Sequence, residues 1–383
     1  MKYIPYAQQW IEDDDIEEVS KVLKGDWLTT GPKVDEFEEK FANFAGSKYS
    51  VAVSSGTAAL HAAAFAAGID EGDEAIVSPM TFAASANCIL YQGGRPVFTD
   101  IDKKTYNIDP EKIEEKINDD TKAIVPVDYT GQPCEMDKIM EMAKENDLTV
   151  IEDSSHAVGA TYDGKKIGSF ADMSIFSFHP VKHITTGEGG MITTNSKELY
   201  EKLKQFRNHG ITKEDSKLNK NEGPWFYEQQ YLGYNYRLND MQCALGISQL
   251  NKIDRFLKRR REIAERYTEF FKDLRGVVPP YQKENSNSAW HLYVLQLELE
   301  ELKVDRKKIF NEFLDKELGV QVHYIPVYYH PYYQNLGYER GLCPNAEWLY
   351  ERIISIPMYP KMKDEDLNKV LNRIESVIKK YQK

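Results

Sequence analysis

Three groups in this sequence could do chemistry together, and each follows an apolar run. Ser55, Gly56 and Thr57, in "SSGTAAL", separate "YSVAV" from an alanine-rich stretch. Asp153 ends "LTVIED", and Lys182 follows "SIFSF" within "FSFHPVKHITTGEGG". A glycine turn leading into a helix offers free N–H groups and hydroxyls to an anion, most naturally a phosphate. Taken singly, the same residues are an ordinary Ser/Thr helix cap. A buried carboxylate such as Asp153 needs a cationic partner; otherwise it caps the turn at "SSH". A lysine shielded from water has a lowered pKa and becomes a nucleophilic amine able to form a Schiff base, although a lone lysine reads as a surface residue. Pyridoxal phosphate (PLP) requires all three: an amine for its aldehyde, a carboxylate for its ring nitrogen and a helix-terminus cup for its phosphate.

The surrounding pattern places these groups at strand ends. The runs "YSVAV", "EAIVS", "KAIVPV" and "LTVIED" alternate with helical stretches at 57–67, 81–91 and 135–146, and "DMSIFSF" and "GMITT" continue the series. That rhythm predicts an α/β fold with a mostly parallel sheet covered on both faces. Ligands in such sheets gather at the carboxyl ends of strands. Ahead of them, residues 13–24 carry Ile16, Val19 and Leu23 at helical spacing, and a second helix starts near Val34.

A polar loop is expected over residues 211–230, followed by a long amphipathic helix carrying Ile253, Leu257, Ile263 and Tyr267. Its "KRRR" run at 258–261 reads as a solvated face. The chain divides into a larger domain, 1–250, and a smaller C-terminal domain, 251–383, entered through "VVPPYQ". The last helix shows an apolar stripe through Leu367, Val370, Leu371, Ile374, Val377 and Ile378, with Asp364 as its cap.

Composition narrows the function classes. At 383 residues the chain exceeds what one core usually serves. It has 61 acidic against 49 basic residues, a net charge of −12, which argues against a nucleic-acid surface. The least polar run, Ala58 to Ile69, is too short to span a bilayer, so no membrane association is expected. Cys88, Cys134, Cys243 and Cys343 lie far apart without metal-ligand spacing. The first fifteen residues lack an apolar signal region and turn acidic, so the expected compartment is the cytoplasm.

"SSGTAALHAA", "PMTFAASAN", "IEDSSHAVGA", "FSFHPVKHITTGEGGM", "FRNHGI" and "YNYRLNDMQCALG" together resemble the DegT/DnrJ/EryC1/StrS family of PLP-dependent nucleotide-sugar aminotransferases. The resemblance runs over nearly the whole chain and is strongest toward members acting in pseudaminic acid biosynthesis on UDP-linked N-acetyl deoxyhexoses. It implies a fold-type I aminotransferase architecture and a homodimer with shared active sites. It also implies that Lys182 binds PLP, that Asp153 pairs with the ring nitrogen and that His156 lies near the phenolic oxygen. Phe82 would stack on the ring, although plain core packing explains it equally well. Ser55, Gly56, Thr57 and Ser177 would hold the phosphate, joined by Asn235 of the neighbouring subunit. On the substrate side, the resemblance brings Tyr6, Trp27, Leu28, Thr29, Ser55, Glu188, His323 and Tyr324 to the UDP-sugar. The tyrosines of "VHYIPVYYHPYY" suit a sugar and a base, or equally a lobe interface. Gly187, Glu188 and Gly190 read alternatively as a turn into the next strand.

The implied reaction is a two-stage transfer in which an amino acid, glutamate by family habit, gives its amine to the cofactor and a ketosugar then takes it. Related sugar dehydratases carry histidine where the lysine should be. Here Lys182 stands five residues after Ser177 and His183 is only its neighbour. A catalytically silent sugar-binding protein would need a broken cofactor site, and every expected group is present.

Overall fold

The computed structural model describes residues 3–383. Helices α1 (Asp13–Leu23) and α2 (Pro32–Ala45) precede the main sheet. Strand β1 (Tyr49–Val53) leads into α3 (Gly56–Ala66), and β2 (Glu74–Val77) into α4 (Ala84–Tyr91). Next come β3 (Arg95–Phe98), the short α5 (Pro110–Glu114), β4 (Thr121–Val125), α6 (Met136–Glu145) and β5 (Thr149–Asp153). Two-residue strands β6 (Thr161–Tyr162) and β7 (Lys165–Lys166) lie outside the main sheet; β8 (Met173–Ser177) and β9 (Gly190–Thr194) complete it. The order is β1-β9-β8-β5-β4-β2-β3. Only β9 runs antiparallel to its neighbours.

Alternation along the strands divides the core between the two faces. Val51, Val53, Ile151, Ile175 and Ile192 pack on one side with the alanines of α3. Ala52, Val150, Phe176 and Met191 pack on the other with Phe37 and Phe41 of α2. Because six of the eleven residues of α3 are alanine, its axis can approach the sheet closely. It is buried on almost every side, which is the state its uniformly apolar sequence demands.

Two more helices, α7 (Lys197–Phe206) and α8 (Asp240–Leu250), flank the sheet before the long α9 (Ile253–Phe271). The first turns of α9 place Phe256 and Leu257 in the α2 side of the core. Its later turns place Ile263, Tyr267 and Phe271 in a third core with the six-residue stripe of the last helix, Asp364–Tyr381. That third core surrounds a three-stranded antiparallel sheet of Val277–Val278, Tyr293–Leu297 and Ile353–Ile356.

Three local expectations are corrected. The buried face of α1 runs through Asp15 and Val22, leaving Ile16 and Leu23 exposed. Asp15 tolerates burial because Gln249 Nε2 of α8 (2.8 Å) and Lys252 Nζ from the turn after it (2.7 Å) reach its carboxylate. Asp364 is the first helical residue rather than the cap, and its carboxylate accepts from Arg259 at 2.6 Å. Finally, the "KRRR" run is not wholly solvated: Arg260 is 1 % exposed, and Arg261 is partly buried.

A buried ion pair ties α2 to the sheet edge. Arg207 Nη1 bonds Glu38 and the Ala52 carbonyl, while Glu38 Oε1 accepts the Ala52 N–H at 2.9 Å. Glu38→Ala strands the guanidinium in the core, so a loss of about 3–5 kcal/mol is expected. Urea unfolding should place Glu38→Leu/Arg207→Met above Glu38→Ala, because the double variant leaves no unpaired charge.

Candidate active site

The three chemically suggestive groups converge at the carboxyl ends of β1, β5 and β8. Ser55 caps α3: its Oγ accepts the Ala58 N–H and its carbonyl the Ala59 N–H, both at 3.0 Å. The N–H groups of Gly56 and Thr57 remain for a ligand. Gly56 must be small, since a Cβ there would lie 3.0 Å from the Ser177 Cβ. Gly190 is constrained more tightly, because its Cβ would sit 2.4 Å from the Ser55 carbonyl oxygen. Gly187, at φ +82°, makes the turn. The "TTGEGG" block thus serves both a turn and a close approach between β9 and the α3 entrance.

Asp153 and Glu152 point to opposite sides of β5, as strand alternation requires. Glu152 accepts from Ser174 Oγ at 2.6 Å, whereas Asp153 accepts from Ser85 Oγ (2.6 Å) and the Ser155 N–H (3.1 Å). Ser85 is itself joined to Thr81 Oγ1 at 2.7 Å. Both Asp153 oxygens are therefore fixed in direction. His156 is buried, and its Nε2 lies 3.1 Å from the Tyr324 hydroxyl. Burial and nearby positive groups keep this imidazole neutral, well below its usual pKa.

Lys182 is partly buried in the loop between β8 and β9. Burial lowers its amine to about 8; Asp153 pulls the other way and Arg260 adds to the lowering. His323, whose Nδ1 is 2.8 Å from Ser355 Oγ, is pushed down to about 4 by burial.

A cavity of about 450 Å³ joins these groups. Ser55, Gly56, Thr57, Asp153, His156, Ser177 and Lys182 all line it, as do Phe82, Tyr6, Glu188, His323 and Tyr324. Phe82 is 62 % exposed, so it belongs to the cavity and not to the core. Trp27, Leu28, Thr29 and Asn235 do not line the cavity of their own chain, and all four are exposed. Asn235 sits in an extended segment bridged to Asn208, two residues from Arg237, which bridges β1 at Val53. The tyrosine-rich segment divides: Tyr324 lines the cavity, Tyr328 and Tyr333 are buried, and Tyr332 is exposed.

The sequence pattern defining the DegT/DnrJ/EryC1/StrS aminotransferase family matches residues 9–375. The chain belongs to that family. It is similar to the spore coat polysaccharide biosynthesis protein SpsC of Bacillus subtilis, at 43% identity over 98% of this chain and 97% of the relative. It is also similar to the UDP-4-amino-4,6-dideoxy-N-acetyl-beta-L-altrosamine transaminase of Campylobacter jejuni, at 41% identity over 99% of each. Among solved structures, Helicobacter pylori PseC, an aminotransferase involved in pseudaminic acid biosynthesis, superimposes with a TM-score of 0.92 at 34% identity, covering 99% of this chain and 100% of the other. A sugar aminotransferase of Streptococcus pneumoniae superimposes equally well, at 31% identity over 99% of each chain, in its PLP form.

As a member of this family, the protein is a PLP-dependent sugar aminotransferase. The cavity suits that cofactor. The α3 entrance supplies two N–H groups and the Ser55 and Ser177 hydroxyls on an approach too close for a Cβ, which matches a phosphate. Asp153 offers an oriented carboxylate to a protonated ring nitrogen, and Lys182 an amine of lowered pKa to an aldehyde.

The sequence reading passed over Ser85, Thr81 and His291, all in the cavity wall. Ser85 and Thr81 had a usable signal, because their spacing of four residues puts both hydroxyls on one side of the α4 entrance. His291, in "SAWHLY", had none: it comes from the distant C-terminal part of the chain.

Among the described residues, no helix is long and apolar enough to cross a membrane.

Proposed function

We propose that the protein moves an amino group from L-glutamate to C4 of a UDP-linked N-acetyl 4-keto-6-deoxyhexose, a step of pseudaminic acid biosynthesis in the cytoplasm. The carrying observation is the meeting of Lys182, Asp153 and the α3 entrance in one cavity. The choice of sugar is supported by similarity to the C. jejuni transaminase and to PseC.

Bound PLP supplies a carbonyl that accepts an amine and a ring that withdraws electrons from the neighbouring carbon. The chain does the rest. Lys182 would hold the aldehyde of the cofactor through its Nζ and, when free, would take up and return a proton at that nitrogen. An amine whose pKa is about 8 can both accept and return that proton near neutrality. Asp153, held by Ser85 and the Ser155 N–H, would pair with the ring nitrogen and favour its protonated form. Gly56, Thr57, Ser55 and Ser177 would anchor the phosphate, and neutral His156 would serve the phenolic oxygen. Phe82 would cover the ring face, while Tyr6, Glu188, His323 and Tyr324 would contact the sugar.

In this reading the enzyme is a homodimer. Asn235, exposed and outside its own cavity, reaches the phosphate of the neighbouring subunit, and the "DWLTT" loop residues Trp27, Leu28 and Thr29 approach the nucleotide sugar.

The sugar assignment is tested with a panel of UDP-, dTDP- and GDP-linked 4-ketosugars, glutamate as donor and 2-oxoglutarate as readout. With the UDP-linked N-acetyl ketosugar as acceptor, glutamate is expected to yield one 2-oxoglutarate per amine transferred. Turnover confined to a dTDP- or GDP-linked sugar would replace that assignment.

A further inference from the structure

Behind Lys182 lies a charge that the proposed reaction leaves unused. Arg260 is almost completely buried, yet its partners are all neutral. Nη1 donates to the carbonyls of Trp290 and His291 at 3.1 Å each and to that of Met358 at 3.4 Å, while Nε has no acceptor. No carboxylate lies within ion-pair distance of it among the described residues. Buried arginines are ordinarily matched by an acid, as Arg207 is by Glu38 in this same chain. The charge of Arg260 is not cancelled locally.

Its position connects it to the lysine. One of its acceptors, His291, lines the cavity with Lys182. His183, the residue after Lys182, has its Nε2 3.0 Å from the Ala289 carbonyl, so the short segment 289–291 is bonded to both. Imidazoles fill the space between. The His291 ring is 4.4 Å from His156 and 5.6 Å from His183, and the Nδ1 atoms of all three are buried without a partner.

We propose that Arg260 is a positioning residue for Lys182: its uncancelled charge, fixed on three carbonyls, disfavours a second cation in this cluster and so keeps the lysine nitrogen available as a free amine. This rests on Lys182 being the cofactor-bearing amine.

The groups facing Lys182 are Asp153 from β5, His156 just beyond it, Arg260 from α9, His291 and His323 from the C-terminal part and His183 beside it. Tyr6, Tyr324, His179 and Glu188 line the same cavity. Asp153 favours the ammonium form; Arg260 and burial oppose it; the four imidazoles are held neutral by burial. Removing the Arg260 charge must therefore raise the lysine pKa.

The test uses the full chain loaded with pyridoxamine phosphate, which leaves Lys182 free. Trace acetylation across pH, quantified by mass spectrometry on the peptide bearing Lys182, gives its titration against the surface residue Lys258. In the unaltered protein Lys182 is expected to titrate roughly one unit or more below Lys258. Arg260→Gln should raise the midpoint by roughly one unit, close to tenfold slower labelling at neutral pH. Arg260→Lys, which keeps the charge, should stay near the unaltered value. The proposal is overturned if Lys182 labels like Lys258 in the unaltered protein, a result that needs no variant to fold. It is also overturned if the folded Gln variant matches the parent, or if Lys and Gln variants shift alike. Borohydride trapping of the PLP-loaded parent separates the two readings. A tag on Lys182 with no Arg260 effect sinks only this proposal, and a tag elsewhere sinks the cofactor assignment beneath it.

Discussion

Lys182→Ala is expected to abolish amino transfer, with a loss of at least roughly 10⁴-fold in kcat, while the protein stays folded. The magnitude follows from the two duties placed on one nitrogen, since general acid–base transfer alone accounts for about 10²–10⁴-fold and the covalent link to the cofactor is lost as well. The fold should survive because burial and neighbouring charges, not an ion pair or hydrogen bond, set the state of this amine. Its removal leaves no group stranded. Circular dichroism and thermal unfolding should match the parent within a few degrees, and a variant retaining a tenth of the activity would contradict the role.

Asp153→Asn should reduce kcat by roughly 10²–10³-fold, the usual scale for losing one oriented electrostatic partner in an active site. An amide cannot hold a proton on a ring nitrogen as a carboxylate does. It also meets fixed neighbours: the Ser155 N–H can only donate, so the new NH₂ must turn toward Ser85, whose hydroxyl then has to reverse from donor to acceptor. A stability loss of about 1–3 kcal/mol should accompany the kinetic one, together with a changed absorbance of the bound cofactor. Activity within tenfold of the parent would show that the carboxylate does not serve the ring.

Much of this arrangement is legible in the residues themselves. "YSVAV" and "GMITT" fold as strands over the same residues, because short apolar runs bounded by polar turns have few other ways to bury both faces. The helix entrance at Ser55–Thr57 is equally legible, although α3 begins at Gly56 itself, with Ser55 as its cap. By contrast, β3 hides behind Gly93, Gly94 and Pro96, which look like turn residues. Proline is accepted there because β3 is at the sheet edge.

The misreadings share a physical cause. Arg260 lies in a run of four cations on an amphipathic helix, where water is the ordinary destination. It is buried because α9 passes from one core to another and carbonyls from 290, 291 and 358 converge on it. Asp15 is buried through Lys252 and Gln249, more than 200 residues away in sequence. Ile16 and Leu23 face outward on the same helix, because the face that it buries runs through Asp15 and Val22. Local periodicity cannot register a partner supplied by a distant segment. The same limit applies to Asn235, whose proposed role involves a second copy of the chain.

Hydride trapping addresses the central claim most directly. The PLP-loaded protein is reduced with borohydride, digested and mapped by mass spectrometry. The added mass of the reduced cofactor should fall on Lys182 alone. A tag on any other lysine, or none on a protein whose bound cofactor is evident from its absorbance, would contradict the account.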